Sequence, residues 1–456
     1  VTPGARIAAA IDILAAIDDA ARPADDTAAD YFRRRRYIGA KDRAAISGQV
    51  YAVLRHRSAL DWWVAREGNG VGDRVRARVI AVLTLAEGCS ADSVAASFDG
   101  GRFRPAILAP PEQTLAKRLA GRTLHHPAMP RAVANDLPGW LEPRLAAIYG
   151  DRLEDEMATL NRPAPMDLRV NAVKGDRAAA LRELAAAGIE AQKTRWSPLG
   201  LRLKSRAPIA GLAIFKDGLI EVQDEASQLA ALLADARPGM CVVDFCAGAG
   251  GKTLALAAAM HNRGRLVACD TAAWRLERAG QRLRRAGLAN VERRPLSSER
   301  DPWVKRHAKT FDRVFVDAPC LGIGTWRRNP DAKWRSTEAD LAELVERQHD
   351  ILSSAARLAK PGGRVIYATC SLLREENEDQ AERFLAENPD FAAFPVSRAW
   401  QEMIGGPCPA GADVLRLTPA KHGTDGFFVA IFERLRPPGA SLETPASQAP
   451  QDEEQP

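Results

Sequence analysis

The sequence predicts a multidomain chain, with an all-α domain over 1–135, a small α/β domain over 136–235 and a doubly wound α/β domain over 236–436. Three observations carry that reading. At roughly 150 residues per core, 456 residues suffice for about three domains. The apolar period changes along the chain, from helical spacing at the start to a steady alternation of strand-like and helix-like runs after Gly239. Two apolar runs in that last part, "RVFVDAPCLGIG" and "RVIYATCSLL", each stop at a cysteine, where a strand in an open sheet delivers side chains to a ligand.

The first segment reads as helical because "ARIAAAIDILAAIDDAA" is alanine-rich and "DRAAISGQVYAVLRHRSALDWWVA" sets Ile46, Val50, Val53, Leu54 and Leu60 near helical spacing. Between its first two helices stands "DYFRRRRYIGAKDR", four arginines flanked by Tyr31, Phe32 and Tyr37. Such a run is either a solvated helix face or a set of RNA backbone contacts with aromatic platforms. The second segment starts at "LPGWLEPRLAAIYG", and "PAPMDLRVNAVKGDRAAALRELAAAGIEAQKTRW" alternates strand, helix and strand, as in a small α/β sandwich. The alternation after Gly239 runs through "GFFVAIFERL". Residues 437–456, "PPGASLETPASQAPQDEEQP", hold too little apolar surface to fold and are expected to form a disordered tail.

The net charge of +6 and a pI near 9.0 suit a polyanionic partner without demanding one. No apolar run approaches the roughly 18 residues that span a bilayer, and the amino terminus lacks signal-peptide order, so a cytoplasmic protein without membrane attachment is expected. The seven cysteines show neither a disulfide framework nor the paired spacing of a zinc site, so no metal is expected. They are buried small hydrophobes or reactive thiols.

"CVVDFCAGAGGKTLALAAAM" joins a buried strand to a helix through a turn at Gly248, Gly250 and Gly251. Such a turn lets backbone approach a ligand at a helix amino end. A phosphate-cradling loop needs glycine where Cys246 stands, and a dinucleotide fingerprint needs glycine where Thr253 stands. What remains is Asp244 followed by Gly-x-Gly, then a second strand, "RLVACD", ending at Asp270, twenty residues after Gly250. A carboxylate there suits a ribose hydroxyl pair. This order resembles the S-adenosylmethionine site of class I methyltransferases.

The two cysteine stretches extend the likeness. "DAPCLGIGTWRRNPDAKWR" and "GGRVIYATCSLLREENEDQ" resemble the fourth and sixth motifs of the RsmB/Sun/Nop family of RNA cytosine-C5 methyltransferases. "VQDEASQLAALLADARPGMCVVDFCAGAGGKT" is similar to the family's entry into the cofactor loop, "DLRVNAV" to its small preceding domain, and "DRAAISGQVYAVLRHR" to the NusB-like domain of the RsmB branch. The resemblance implies an all-α NusB-like domain, a small α/β domain of RRM or ferredoxin-like type, and a Rossmann-like class I methyltransferase domain. It implies transfer of a methyl group to carbon 5 of a cytosine in RNA, most readily 16S ribosomal RNA and alternatively transfer RNA, by a monomer.

The chemistry accounts for the residue types, because carbon 5 of cytosine is a poor nucleophile until a thiolate adds at carbon 6. By the resemblance, Cys370 is that nucleophile, Cys320 assists elimination and release, and Asp317 hydrogen-bonds the cytosine N3 or amino edge. Cys246, Ala247, Gly248, Ala249, Gly250, Gly251 and Lys252 would hold the cofactor, with Asp270 on its ribose and Asp317 at its edge. Lys252, Arg327, Arg328 and Lys333 are candidates to favour the thiolate, and Trp326 and Trp334 to stack on bases. Ser298 stands where the family carries an acid toward adenine, so Ser298, Glu299 or Asp301 would make that contact. That departure keeps a second hypothesis open, an RNA-binding assembly factor without turnover. A DNA cytosine methyltransferase would instead take its nucleophile from the Pro-Cys position.

Overall fold

The structure is a computed structural model that describes residues 2–19, 22–409, 411 and 413–437. Apart from Pro437, the predicted tail lies outside the described residues. Helices from Pro3–Asp19 to Pro110–Leu119 surround one core that includes Ile13, Ile46, Leu60, Trp63, Ile80 and Leu115. Local chemistry sets their starts: Asp73 accepts from Arg76 N–H, and Ser90 from Ser93 N–H, at successive helix amino ends. The arginine run is divided between a helix and a connector, with Arg33 and Arg34 in the first and Arg35 and Arg36 in the second. The helix Ala24–Arg34 runs into it, because Phe32 is buried in the core and Arg33 and Arg34 suit the negative end of the helix dipole. Of the aromatic platforms expected there, Phe32 is thereby used in packing, while Tyr37 is exposed.

Strands β1 (Asp167–Val170), β2 (Ala191–Lys193), β3 (Gly200–Leu203) and β4 (Ile220–Val222) form an antiparallel sheet in the order β2-β3-β1-β4. The helix Arg177–Ala186, capped by Asp176, packs on it through Ala180 and Leu184. Leu168, Val170, Leu201 and Leu203 complete this core. The helices Glu142–Tyr149 and Leu153–Leu160 pack elsewhere. Their Leu145, Tyr149, Leu153 and Met157 share a core with Leu321, Ile323, Trp326 and Leu372, from the segments that follow the two cysteines.

The last sheet contains β5 (Cys241–Asp244), β6 (Arg265–Asp270), β7 (Val291–Pro295), β8 (Phe311–Asp317), β9 (Ala359–Thr369), β10 (Phe391–Ala393), β11 (Leu415–Leu417) and β12 (Phe427–Arg434). Its main path runs β10-β12-β9-β8-β5-β6-β7, with β11 paired to β12. Strands β7, β6, β5, β8 and β9 are parallel, whereas β12 is antiparallel to β9 and β10. The central strands are apolar on both faces, as helices on both sides of a parallel sheet require. The chain leaves β5 toward β6 on one side and returns to β8 on the other, so the sheet reverses direction between β5 and β8. Loops at such a reversal splay apart and leave a crevice beyond the strand ends.

Candidate active site

The turn after β5 is built for close approach. Gly250 has φ +81°, and a Cβ there would lie 2.8 Å from that of Ala279. Only glycine meets both demands without strain. Gly248 N–H donates to Asp270 Oδ2 at 2.8 Å, Ala272 N–H donates to Oδ1 at 2.7 Å, and Ala247 N–H donates to the Cys269 carbonyl at 2.8 Å. Asp270 thus anchors the turn and retains lone pairs for a pair of hydroxyls. Behind the turn, Asp244 is fully buried; its Oδ2 accepts from Thr253 Oγ1 at 2.6 Å and its Oδ1 has no partner among the described residues. Burial pushes its carboxyl up to about 7. Burial likewise raises the Cys246 thiol, which leaves Cys246 a neutral lining group. An open backbone turn at a helix amino end, an orphaned buried acceptor and an anchored carboxylate together fit an amino-acid nucleoside.

The ferredoxin-like sheet braces this turn. Arg169 on β1 donates to the Gly251 carbonyl at 3.1 Å and to Gln223 Oε1 at 2.5 Å, and Gln223 donates to the same carbonyl at 3.3 Å. Arg282 holds the Ala249 carbonyl at 2.7 Å.

Across the crevice, Asp317 ends β8 and Cys370 follows β9. Lys252, in the first turn of the helix Gly251–Ala259, donates to Asp317 Oδ2 at 2.6 Å. Burial works to lower the Lys252 ammonium, but Asp317 and the sulfur of Cys370 outweigh it and hold Lys252 protonated. The Cys320 and Cys370 sulfurs lie 3.5 Å apart. Hydrogen bonding to Cys370, followed by burial, raises the Cys320 thiol well above its ordinary range. The loops are tied to each other as well: Gly324 N–H donates to the Cys370 carbonyl at 2.9 Å, and Gly426 N–H to the Gly324 carbonyl at 2.9 Å. A Cβ on Gly324 would lie 2.2 Å from the Gly426 oxygen, so this crossing excludes any side chain.

Three residues that sequence reasoning passed over hold the two cysteine loops. Glu376 is fully buried and accepts from Ser371 Oγ, from Leu321 N–H at 2.9 Å and from Gln348 Nε2 at 2.9 Å. Gln348 also donates to the Pro319 carbonyl at 2.8 Å, and Asn377 donates to the Ser371 carbonyl at 3.2 Å. The carboxylate of Glu376 therefore joins the residue after Cys320 to the residue after Cys370. The only sequence signal was the acidic "REENE" that follows the second cysteine, which reads as a solvated helix start.

Several expected roles are overturned. Arg327 and Arg328 pair with Asp425, at 2.9 and 2.6 Å, and Arg328 also with Asp224 at 2.9 Å. Lys333 is 1 % exposed and donates to the carbonyls of Arg55 and Asp136 and to Asn161 Oδ1, at 3.1, 3.3 and 2.6 Å. Burial pulls its ammonium down to about 8. These three cations hold the segment after Cys320 in place and are spent on other partners. Trp326 is buried in the core of the helices 142–160, which occupies its ring, and half-buried Trp334 donates Nε1–H to the Leu54 carbonyl at 2.6 Å, which ties it to the amino-terminal helices. On the adenine side, Asp301 caps a helix, accepting from Ser297 and Trp303 N–H, which pulls it down to about 2 and leaves it unavailable. Ser298 is half-buried and its Oγ accepts from Arg300 N–H at 3.1 Å, while Glu299 lies beside Arg300 at 3.3 Å.

Among the described residues, no helix is long and apolar enough to cross a membrane, and no group of three His, Cys, Asp or Glu side chains is arranged to hold a metal ion.

Comparison with known proteins agrees with this geometry. A family model for 16S rRNA methyltransferase RsmB/F matches residues 231–433, and one for the RsmF/B ferredoxin-like domain matches 137–210. The ribosomal RNA small subunit methyltransferase B of Xylella fastidiosa (strain Temecula1) is 34% identical over 86% of this chain and 89% of its own length. The "probable ribosomal RNA small subunit methyltransferase B" of Synechocystis is 34% identical over 65% of this chain, and the match spans 66% of that relative's length. The crystal structure of PH0851 superposes with a TM-score of 0.75 at 27% identity, covering 95% of this chain and 99% of that one. A methyltransferase homologue from Pyrococcus horikoshii gives 0.57 at 28% identity, over 67% of this chain and 97% of its own. The methyl donor of this methyltransferase family is S-adenosylmethionine. A doubly wound sheet with that turn at its reversal point, a ferredoxin-like sheet against it and relatives matched over most of their length make this chain a member of the RsmB/F methyltransferase family.

Proposed function

We propose that the chain methylates carbon 5 of a cytosine in small-subunit ribosomal RNA through a covalent cysteine adduct. The observation that carries this reading is the pair of sulfurs 3.5 Å apart at the ends of neighbouring strands, beside the Lys252–Asp317 pair. One thiol at a strand end is ordinary, whereas two in contact allow one to attack while the other serves the departure. The RNA assignment rests on the relatives named for small-subunit ribosomal RNA. Transfer RNA is the alternative substrate, and the amino-terminal helices serve as a NusB-like RNA-binding domain.

In this mechanism the Cys370 thiolate adds to carbon 6 of the cytosine, and Lys252 supplies the positive potential that favours the thiolate. The sulfur pair forms the bond to carbon 6 and displaces the carbon 5–carbon 6 π pair onto carbon 5 and the ring's amidine edge, where Asp317 would bind the amino group. S-adenosylmethionine supplies an electrophilic methyl group. Once carbon 5 carries the methyl group, its proton passes to solvent, the freed C–H pair re-forms the ring double bond, and the Cys370 sulfur leaves carbon 6 as thiolate, with Cys320 assisting this departure from 3.5 Å away. The reacting base must be unstacked, because the target carbon of a base is out of reach of an active site while the base lies in a duplex.

Incubation of wild type, Cys370→Ala and Cys320→Ala with S-adenosylmethionine and unmodified 16S rRNA tests this on a denaturing gel. Cys320→Ala should accumulate a thiol-sensitive protein–RNA adduct, and Cys370→Ala should form none. Full activity of Cys370→Ala together with loss in Cys320→Ala would assign the nucleophile to the Pro-Cys position and overturn the mechanism.

A further inference from the structure

The segment that follows Cys320 leads away from the cysteines to a second, basic cavity. A depression lined by Cys320, Ala332, Arg335 and Ser336 shares Arg335 with a cavity lined by Leu54, Arg57, Arg74, Arg78 and Trp334. The first belongs to the active-site loop; the second lies between that loop and the amino-terminal helices.

The charges of the basic cavity do not cancel. Arg78 is neutralised by Asp61 and Asp18, at 2.7 and 2.8 Å. The same Asp18 also faces Arg57 at 3.3 Å, so Asp18 and Asp61 together balance Arg57 and Arg78. Asp331 accepts from Arg335 at 3.0 Å and from Ala24 N–H at 3.1 Å. Arg74 is exposed and has no acidic partner within ion-pair distance among the described residues. Burial, and then repulsion from Arg78 and Arg74, weakens the Arg57 guanidinium's hold on its proton against the pull of Asp18 and Asp61. A cavity that gathers more guanidiniums than carboxylates is stabilised by an anion. On the cysteine side the lining carboxylates are Asp340, engaged in capping Thr337, and the exposed Glu343, so the anion-binding charge lies at the helical-domain end.

We propose that this cavity binds a backbone phosphate of the RNA strand flanking the target nucleotide, with Arg57, Arg74 and Arg335 as its contacts. The inference rests on the RNA reading of the active site and deepens it: the strand enters at the cysteines and is held where the helical domain meets the catalytic loop. Arg78 is a structural support, and Trp334, fixed by Leu54, is the wall.

The test measures binding of unmodified 16S rRNA transcript by the full chain as a function of salt, with methyl transfer to the same transcript in parallel. Arg74→Gln removes an exposed, unpaired cation and leaves the fold intact. One lost single-strand phosphate contact lowers the slope of log affinity against log salt by about 0.7, which is about fourfold in affinity at 0.15 M salt. Arg57→Gln combined with Arg74→Gln should lose about 15-fold, and Arg57→Lys should retain the slope. Arg383→Gln with Arg398→Gln, a half-buried and an exposed site on the helices Glu378–Glu387 and Val396–Met403 that pair with glutamates there, removes the same net charge elsewhere and should change affinity less than about twofold. Wild-type slope and affinity in the Arg57/Arg74 double variant, equal losses in the remote control, or no RNA binding by wild type would each overturn the proposal. Wild-type binding that falls in the Arg57/Arg74 variant without any methyl transfer would uphold the cavity while defeating the catalytic reading.

Discussion

Replacing Glu376 probes the tie between the two cysteine loops. Glu376→Ala leaves three buried donors without an acceptor: Ser371 O–H, Leu321 N–H and one proton of Gln348 Nε2, whose other proton keeps the Pro319 carbonyl. Each unsatisfied donor costs about 1–3 kcal/mol. Removing a carboxyl that is itself unfavourably buried returns part of this, so the net loss is about 3 kcal/mol, or roughly 6–12 °C of Tm for a domain of about 200 residues. Glu376→Gln keeps Oε1 for Leu321 and Gln348 and should stay within about 1 kcal/mol of wild type at low pH. The pH dependence has a definite sign. Burial raises the Glu376 carboxyl above its ordinary 4.5, so its stabilisation is complete below about 4.5 and is lost as pH rises through the folded-state value. Glutamine does not titrate, so the Tm of Glu376→Gln should gain on wild type between pH 5 and pH 8. Thermal unfolding across pH, with covalent-adduct formation in the Cys320→Ala background, reads both effects. A Glu376→Ala protein that melts within about 2 °C of wild type refutes the tie. Equal losses in the Ala and Gln variants would show that charge, and not acceptor geometry, holds the loops.

Three further outcomes follow from the site. Lys252→Met removes the cation beside Asp317 and Cys370, and single-turnover methyl transfer should fall about 10²–10³-fold with the fold retained. Gly250→Ala places a Cβ 2.8 Å from that of Ala279 at φ +81°, costs about 1–2 kcal/mol in backbone strain alone, and should weaken S-adenosylmethionine binding measured by calorimetry. Lys333 titrates at about 8 in the folded chain, below its ordinary 10.5, so the folded state releases its proton first and stability gains as pH rises from about 8 toward 10.5. The gain is roughly 3 kcal/mol, and Lys333→Met should abolish that slope in Tm measured across pH.

The parts of the site that were legible in the sequence are those whose meaning is local. A strand of β-branched residues announces its own end, so the apolar pattern alone assigns Cys320, Cys370, Asp317 and Asp270 to one sheet edge. The glycine turn was legible for the same reason, since positive φ at Gly250 is a property of the turn itself. What could not be read is where charges go. Glu376 stands among "REENE" and looks solvated, yet its partners at Leu321 and Gln348 lie 55 and 28 residues away and take it out of water. Lys333 is expected beside the thiolate and Trp334 against a base, yet their partners at Arg55 and Leu54 are 278 and 280 residues distant. A residue's burial depends on the partner that desolvates it, and partners so remote leave no periodic trace in the sequence.

That asymmetry bears on how the nucleophile is activated. Of the four cations that could have favoured a thiolate, Arg327, Arg328 and Lys333 are committed to Asp425, Asp224 and the amino-terminal helices. Arg327 and Arg328 are compensated by Asp425 and Asp224, and a compensated charge contributes little potential beyond its own ion pair, while the Lys333 ammonium is turned to carbonyl and amide oxygens away from the cysteines. Lys252 is different, because its one carboxylate partner, Asp317, also faces the reacting base under the proposed mechanism. When the cytosine amino group engages Asp317, the carboxylate is shared and the field of Lys252 at Cys370 is less fully cancelled. Substrate binding would then itself favour the attacking thiolate. The sulfur should accordingly be alkylated faster by iodoacetamide with a cytosine-bearing oligonucleotide present than with a uracil-bearing one, after correction for shielding in the Lys252→Met protein. Equal rates would mean that Lys252 activates the thiol without regard to the base bound.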